Sequence, residues 1–283
     1  MAIARHGTGA LATLRALASQ VHPVFMLPAV AASVFGSILA REVTLTLAVL
    51  HAVVVFCELY TAHIKDGYVD FYVRDEDDDH PLTAHGCHIA LIGASALVFS
   101  GLALIFLAVG PVAALLTLPG WLIAYFHAPQ LDSNPMTTTM GYPLGIAFTL
   151  VSGYYVQAGS LSTTVVAFGV VFLVILSGIK VIDDAKDYQY DRSIDKRTAA
   201  VALGRDRARQ SAFALMTVGL AVVVVLAVLG VFPTSSIVAV VAFAAIATVT
   251  RRMDAKHTTM ILIRGSYVFL ALLVAAVWFR PLT

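Results

Sequence analysis

Long apolar runs separated by short polar connections dominate the chain of 283 residues. A membrane-crossing α-helix needs about 20 apolar residues to span roughly 30 Å of hydrocarbon, and nine runs approach that length, the eighth being short. They cover about residues 21–40, 43–64, 89–109, 111–127, 141–158, 161–182, 210–230, 235–250 and 261–279. We therefore predict an all-α, multispanning membrane protein in which nine transmembrane helices surround a central cavity.

The polar segments fit a single domain that extends over residues 1–283. Residues 1–20, in which Arg5 and Arg15 interrupt a run of small and apolar residues, are predicted to form a short helix at the membrane surface. Two acidic connections, at about residues 64–88 and 183–208, follow the second and sixth runs. The connections on the other side of the membrane are minimal turns, so we expect these two loops to carry the function.

Composition supports the membrane assignment and argues against other classes. The chain is 59% hydrophobic and 12% charged, whereas soluble domains are about 25% charged. A formal net charge of +1 gives no indication of nucleic-acid binding. Cys57 and Cys87 show no pairing pattern, so no disulfide framework is predicted. The first residues lack a charged segment followed by a compact apolar one, and we predict no cleaved signal peptide.

The basic residues predict the orientation of the chain. If the N-terminus is cytoplasmic, all 18 Lys and Arg residues except Arg41 and Arg280 fall on the inner side of the nine predicted spans. Such a bias is typical of cytoplasmic loops in membrane proteins. We therefore predict a multi-pass protein of the cell membrane, with both acidic loops and the active site at the cytoplasmic face.

The strongest chemical signal is a group of four carboxylates after the sixth run, Asp183, Asp184, Asp187 and Asp191. On a helix these residues fall within about 100° of one another, so they share one face. Carboxylates four residues apart repel by roughly 3 kcal/mol at an effective dielectric constant near 20, and stability alone would not retain them. The pattern predicts a divalent-cation site built from oxygen ligands. The alternative is a solvated acidic turn after a membrane helix.

A second acidic group, Asp66, Asp70 and Asp75, follows the second run in the same manner. This weak internal repeat is expected to bring two acidic helix ends together across one cavity. On a continuous helix Asp75 would point about 180° away from Asp66. Asp75 can therefore join the site only if the helix ends near Arg74.

The acidic stretch after the sixth run reads Asp183-Asp184-x-x-Asp187-x-x-x-Asp191, followed by Asp195-Lys196-Arg197-Thr198 and a turn that ends in Val201-Ala-Leu-Gly204. Together with the nine-helix pattern, it resembles the UbiA superfamily of intramembrane prenyltransferases. The second signature of that family is [Asn/Asp]-Asp-x-x-Asp-x-x-x-Asp, followed by Lys-Arg-Thr and a Val-x-Leu-Gly turn. The resemblance covers nearly the whole chain.

The first signature of the family, Asn-Asp-Tyr-x-Asp, is matched less well. It aligns with Asp66-Gly67-Tyr68-Val69-Asp70, so that Asp66 takes the asparagine position and Gly67 replaces the first aspartate. The family also presents a Lys-Arg pair after a tyrosine at the inner end of the fourth helix, whereas this chain has no Lys or Arg between Pro111 and Gly178. The resemblance therefore leaves the number of metal ligands and the strength of phosphate binding open.

The resemblance implies a Mg²⁺-dependent enzyme that transfers a polyprenyl group from a polyprenyl diphosphate to a lipophilic acceptor of the quinone-precursor or another lipid type. Two Mg²⁺ ions would neutralise charge on the departing diphosphate. The implied metal ligands are Asp66, Asp70, Asp183 and Asp187, with Asp75, Asp184 and Asp191 as further candidates. The implied diphosphate-binding residues are Lys186, Lys196, Arg197, Tyr68 and Tyr125, and Asn134 or His127 is expected to compensate for the absent Lys-Arg pair. Lys180 is a catalytic candidate that would hold the outer phosphate oxygens, or an ion-pair partner of Asp184.

Two further polar groups need an interpretation. Glu58 lies inside the second predicted helix, where a charged side chain costs about 2.5–3.5 kcal/mol, and we expect it to face the cavity and to orient the acceptor or act as a base. His51 is about 10 Å away along that helix and is predicted to be a core residue. His80, His85, Cys87 and His88 include zinc-ligand types, but their spacing matches no tetrahedral zinc site.

Two other functions remain as alternatives. A terpene cyclase of the same superfamily would ionise the same diphosphate and let a double bond of the chain capture the cation. A cation transporter would use Glu58 and the aspartates as an ion path, but it should place its acids near the middle of the bilayer. The expected partners are thus the prenyl donor, the acceptor and the lipid bilayer, without nucleic acid, and the oligomeric state stays open.

Overall fold

The computed structural model describes residues 2–194 and 196–279, so Asp195 and Arg280 lie outside the described residues. Within these ranges the regular structure is helical, apart from an isolated β-bridge between Ala4 and Leu82. The helices are α1 (Ala10–Ala18), α2 (Pro23–Leu39), α3 (Leu45–Tyr72), α4 (Ala84–Ala108), α5 (Pro111–Phe126), α6 (Pro135–Ala158), α7 (Thr163–Lys186), α8 (Tyr188–Ser193), α9 (Ala199–Leu203), α10 (Arg205–Val228), α11 (Ser236–Thr250) and α12 (Ala255–Phe279). A short 3₁₀ helix, Leu131–Ser133, precedes α6.

The all-α prediction is confirmed for the described part of the chain, and so is a multispanning membrane protein. Five helices, α3, α4, α7, α10 and α12, are long and apolar enough to cross a membrane, and α1 with α2 would make a sixth span, bent by 70°. Helices α5 and α11 are apolar but shorter. The number of nine spans and the cytoplasmic position of the N-terminus therefore stay predictions.

Polar residues at the helix starts explain several boundaries. The side chains of Thr83, Asn134 and Ser162 accept hydrogen bonds from backbone N–H groups in the first turns of α4, α6 and α7, which satisfies donors that would otherwise lack partners. Helix α6 ends at Ala158 and is followed by Gly159, whose φ of 65° is in the left-handed region that glycine tolerates. The capping residues therefore account for where these helices start and end.

Helix α3 is longer than its apolar run. The predicted span ended at about Ile64, but the helix continues to Tyr72. Its 28 residues extend over about 42 Å, so Asp66 and Asp70 lie on its last two turns rather than in a loop. This extension fixes the direction in which both carboxylates project.

Helices α2 and α6 approach each other closely because glycine lies on both surfaces. A Cβ atom at Gly36 of α2 would overlap the carbonyl oxygen of Leu150, and one at Gly153 of α6 would lie 2.6 Å from the carbonyl oxygen of Ser33. Small residues allow membrane helices to pack with their backbones in contact. On the other side of α6, α7 is the most buried of the five long apolar helices and packs against α10.

Candidate active site

One cavity of about 650 Å³ lies between α2, α3, α5, α6, α7 and α12. Its lining is divided between a polar end and an apolar region. The polar end contains the acidic residues Asp66, Asp70, Glu76, Asp77, Asp79, Asp183 and Asp187 and the basic residues Lys180 and Lys196. The apolar region contains Ala29, Val55, Leu59, Ile146, Leu176 and Ile179. The cavity can therefore hold a molecule with a charged head and an apolar tail.

Helical periodicity places the predicted carboxylates on the cavity wall. The lining residues of α3 follow the three- and four-residue spacing of one helix face, from Val55 to Asp70. On α7 the same spacing brings Asp183 and Asp187 to the wall, one and two turns after Ile179. The last turns of α3 and α7 thus contribute Asp66, Asp70, Asp183 and Asp187 to a single cavity.

On α7, two lysines neutralise three carboxylates. Lys180 Nζ is 2.6 Å from Asp184 Oδ1 and 3.3 Å from Asp183 Oδ2. Lys186 Nζ is 3.2 Å from both Asp183 Oδ1 and Asp187 Oδ2. Because Lys180 also lines the cavity, the ion-pair role and the diphosphate role predicted for it are compatible in space.

Asp184 is directed away from the cavity and into the protein. Its side chain is 2% exposed, and besides the ion pair with Lys180 its Oδ2 accepts a hydrogen bond of 3.1 Å from Thr139 Oγ1 of α6. Asp184 is not among the cavity-lining residues. Its surroundings are those of a carboxylate that joins α7 to α6.

At the end of α3, Arg74 connects two acidic side chains. Its Nη1 is 3.3 Å from Asp70 Oδ1 and its Nη2 is 2.7 Å from Asp132 Oδ2, which lies in the 3₁₀ helix before α6. The backbone N–H of Arg197 donates to the carbonyl oxygen of Asp132. Three segments that are distant in sequence are thereby joined next to Asp70, and neither Arg74 nor Asp132 was predicted from the sequence.

Besides Glu58 and His127, six of the predicted site residues line the cavity, whereas the others lie outside its lining. Those in the lining are Asp66, Asp70, Asp183, Asp187, Lys180 and Lys196. Those outside it are Tyr68, Asp75, Tyr125, Asn134, Asp184, Lys186, Asp191 and Arg197. Lys186 still contacts the site through Asp183 and Asp187.

The residues outside the lining have other contacts. The Tyr68 ring packs against His88, with 5.1 Å between ring centroids, and Tyr125 lies under the Lys65 ammonium at 5.2 Å. The Asn134 side chain caps α6. We predicted that Asp75 could join the site only if the helix ended near Arg74, and α3 does end at Tyr72. Asp75 is nevertheless exposed, with a φ of 54°. Each of these positions is therefore a candidate only if it moves when a ligand binds.

Asp191 is buried beside the second motif. It is 4% exposed, in the short helix α8, and the backbone N–H of Lys196 donates to its carbonyl oxygen. Burial raises the pKa of the Asp191 carboxyl to about 6, against the lowering effect of Lys196. In the described structure Asp191 supports the loop that carries Lys196.

His80 was not predicted to belong to the site. It follows the acidic run Asp75–Asp79 but is 3% exposed and lines the polar end of the cavity. Its Nε2 would lie 2.7 Å from a Cβ at Gly67. Nε2 is buried and has no hydrogen-bond partner among the described residues. Spacing alone gave no signal for this residue, since the acidic run reads as a solvated loop.

Glu58 lines the cavity, as expected. Its carboxyl group packs on Gly120 of α5, where a Cβ would overlap Oε2. Oε1 is buried without a hydrogen-bond partner in the part of the chain that is described. His51 is a buried core residue, as predicted: its ring contacts Ser33 Oγ at 2.7 Å and Ser152 Oγ at 2.9 Å.

The chemistry of the polar end suits a hard divalent cation, although the ligands are not gathered around a point. Within residues 2–194 and 196–279, no three His, Cys, Asp or Glu side chains are close enough to hold an ion as placed. The donors are carboxylates from two helix ends, which is the ligand type that Mg²⁺ prefers, together with phosphate oxygens. The residues therefore fit Mg²⁺ by donor type, and binding would require side chains of this group to turn.

Comparisons with known proteins agree with this geometry. The structure of a protein described as digeranylgeranylglyceryl phosphate synthase superposes with a TM-score of 0.74 at 15% identity, covering 94% of this chain and 99% of that one. A UbiA homologue from Archaeoglobus fulgidus bound to GPP and Mg²⁺ gives a TM-score of 0.69 at 17% identity, with coverages of 95% and 99%. A UbiA homologue from Aeropyrum pernix K1 gives 0.66 at 14% identity, with coverages of 90% and 98%.

These identities establish the fold, and the sequence itself establishes the family. No sequence among the curated proteins matches the chain. The model of the UbiA prenyltransferase family matches residues 25–273, which is most of the chain and includes both acidic motifs. The chain therefore belongs to the UbiA prenyltransferase family.

Proposed function

We propose that this chain transfers a polyprenyl group from a polyprenyl diphosphate to a lipophilic acceptor, of the quinone-precursor or another lipid type, and releases diphosphate. The observation that carries this proposal is the single cavity that receives carboxylates from the ends of both α3 and α7 and continues into an apolar region. A prenyl diphosphate has the same division between charged head and apolar tail. Homologues bound to GPP or DMAPP with Mg²⁺ support the donor class.

The donor would bind with its diphosphate at the polar end. Asp66, Asp70, Asp183 and Asp187 would hold Mg²⁺, in two ions, and when bound the metal supplies positive charge to the departing diphosphate. Lys180 and Lys196 line the same end and would contact outer phosphate oxygens. Lys186 and Arg197 lie nearby and would also contact the diphosphate if the loop after α7 closes over the head group.

The reaction itself breaks the bond between the allylic carbon and the diphosphate oxygen and forms a bond from that carbon to the acceptor. The apolar wall around Ile146 and Leu176 would exclude water from the electron-poor carbon and hold the prenyl tail. Glu58 would contact the acceptor, because its Oε1 has no partner within the described residues and its carboxyl group lines the cavity. The proton released by the acceptor would pass to a carboxylate or to the departing diphosphate.

The position of the site is part of the proposal. With a cytoplasmic N-terminus in a cell membrane, the polar end of the cavity would lie at the cytoplasmic face, and the distribution of Lys and Arg supports this orientation. Polyprenyl diphosphates would then enter with the head group at the membrane surface and the tail among the helices.

A terpene cyclase is the second candidate. The departures that favour it are Gly67 in the first motif and the absence of Lys and Arg between Pro111 and Gly178. Labelled geranylgeranyl diphosphate, supplied with Mg²⁺ and without an acceptor, separates the two reactions. A cyclic hydrocarbon as product would contradict the transferase proposal. A transporter is disfavoured because the acidic lining, apart from Glu58, lies at one end of the cavity.

The decisive experiment screens prenyl diphosphates against lipophilic acceptors with the purified full chain and Mg²⁺. We expect Asp183→Ala and Asp187→Ala each to reduce diphosphate release about 100-fold or more, since both remove charge complementarity at the departing group. The matched control is Asp78→Ala, which removes an exposed carboxylate outside the cavity and should leave turnover unchanged. Normal turnover by both Asp183→Ala and Asp187→Ala would contradict the metal assignment.

A further inference from the structure

His80 occupies an unusual position for a residue of an acidic loop. The loop returns from the end of α3 so that the imidazole is buried against α3 itself, at the polar end of the cavity. The ring packs against Phe71, with 5.8 Å between centroids, and against Tyr72 at 6.0 Å. The orientation of the imidazole is therefore fixed by packing.

The two ring nitrogens of His80 differ in their surroundings. The backbone N–H of Leu82 is directed at Nδ1 over 3.2 Å, and the carbonyl oxygen of Leu82 lies 3.0 Å from the same atom. Nδ1 accepts from the N–H in one tautomer and donates to the carbonyl oxygen in the other, and in the second tautomer Nε2 of a neutral imidazole carries a free lone pair. Nε2 is the buried atom that lacks a partner within the described ranges. Histidines that bind metals typically donate their other ring N–H to a carbonyl or carboxylate oxygen in this way.

The imidazole of His80 leaves no space for a side chain at position 67. A Cβ at residue 67 would lie 2.7 Å from Nε2, closer than real Cβ atoms approach another heavy atom. The imidazole therefore fills the space in which a side chain at position 67 would begin. Position 67 is the one at which this chain has glycine and the family's first signature has aspartate.

We propose that Nε2 of His80 is a ligand of the divalent cation at the end of α3, in place of the carboxylate that Gly67 lacks. The inference rests on the proposed function, because it concerns the same site. Asp66 and Asp70, which line the cavity beside Gly67, supply the oxygen ligands. Acidic residues surround this end of the cavity, so the local charge favours a cation over an anion next to Nε2.

A nitrogen ligand changes the metal preference of the site. Oxygen ligands suit Mg²⁺, whereas imidazole suits transition-metal ions, for which affinity rises from Mn²⁺ to Cu²⁺ and falls again at Zn²⁺. We therefore expect the preference for Mn²⁺ over Mg²⁺ to be stronger in this chain than in a variant whose site has carboxylates alone. The comparison is between variants of one chain, so it does not depend on the acceptor.

Mn²⁺ provides a direct measurement of the ligand. Pulsed electron paramagnetic resonance of the detergent-purified full chain with Mn²⁺ should detect a coupled ¹⁴N nucleus. The coupling should disappear in His80→Ala and in the size-conserving His80→Gln, with affinity for Mn²⁺ reduced about tenfold or more. The matched control is His85→Ala, an exposed histidine in the first turn of α4 outside the cavity, which should keep both the coupling and the affinity.

The exchange variant Gly67→Asp/His80→Ala tests the replacement itself. It should recover affinity for Mn²⁺ without ¹⁴N coupling and shift the preference towards Mg²⁺. Gly67→Asp alone should bind Mn²⁺ less well than the exchange variant, because the new side chain and the imidazole need the same space. Melting temperatures and elution profiles of all variants establish that they are folded.

Several results would overturn the inference. Mn²⁺ bound without ¹⁴N coupling in the unaltered chain is one, and coupling that survives in His80→Ala is another. A third is weaker binding of geranyl diphosphate by His80→Ala with unchanged affinity for Mn²⁺, since that assigns the imidazole to phosphate. If the chain transfers prenyl groups with Mg²⁺ but shows no ¹⁴N coupling with Mn²⁺, the inference about His80 is wrong and the proposed function stands. If the ¹⁴N coupling depends on His80 but no prenyl donor is turned over, the proposed function is wrong and the inference stands.

Discussion

Lys180 offers a test of how charge is arranged inside the helix that ends at the active site. Its ammonium is the basic partner of Asp184, whose side chain is 2% exposed, at 2.6 Å. Removing one partner of a buried ion pair leaves the other charge uncompensated, which costs about 3–5 kcal/mol. Lys180→Met keeps the length of the side chain and removes its charge. At about 2 °C for each kcal/mol in a chain of this size, we expect the melting temperature to fall by roughly 6 °C or more.

Thermal unfolding in detergent, monitored by the loss of monodisperse protein on size-exclusion chromatography, measures the change. The matched control is Lys186→Met, because Lys186 is 36% exposed and pairs with Asp183 and Asp187 near the surface. Exposed pairs contribute about 0–1 kcal/mol, so this variant should lose about 2 °C or less. An unchanged melting temperature in Lys180→Met, or a larger loss in Lys186→Met, would refute the reasoning.

A second substitution separates stability from binding. In Lys180→Met/Asp184→Asn the buried carboxylate is replaced by an amide that can still accept the hydrogen bond from Thr139. We expect most of the lost stability to return. Affinity for geranyl diphosphate should stay low in this stable variant, because Lys180 also lines the cavity. Full recovery of affinity would restrict Lys180 to the ion pair.

Two further predictions concern the cavity wall and the loop beside it. Gly120→Ala places a Cβ where Glu58 Oε2 lies, and it should lower acceptor-dependent turnover about tenfold, a loss of roughly 1.4 kcal/mol, with donor binding unchanged. Gly93→Ala on α4 is the control, since a Cβ there meets nothing within 4 Å and Gly93 does not line the cavity; equal loss in both would contradict the assignment. Asp132→Asn should release Arg74 from its 2.7 Å contact and accelerate amide hydrogen exchange in residues 127–134, and unchanged exchange would show that the contact is not what holds the loop.

The sequence predicted the helical class and the carboxylates on α7 because both are local patterns. The spacing of Asp183 and Asp187 is enough to place them one turn apart on the same face. Spacing could not separate Asp184 from this pair, since the rotation of α7 against α6 decides which carboxylate meets Thr139. Apolar residues surround α7 on most sides, so the tertiary packing decides which of its carboxylates is buried.

The misses have the same physical origin. The apolar run ends at about Ile64, but the helix continues to Tyr72, because helix formation does not need apolar residues once a turn exists. The contact between His80 and Gly67 depends on the path of a loop, for which periodicity gives no information. Asn134, which we predicted to lie at the diphosphate, caps α6 in this structure, a role that asparagine before proline allows. Whether it leaves this role on binding stays a prediction.

The contact between α2 and α6 constrains how this protein can admit a long substrate. With Gly36 against Leu150 and Gly153 against Ser33, the two backbones lie too close for a sliding motion to bring any other residue into the interface. We therefore expect α2 and α6 to move together as one rigid unit. Access for a long substrate should then depend on movement of other elements that line the cavity, such as α12, which contributes Ile263 and Ser266.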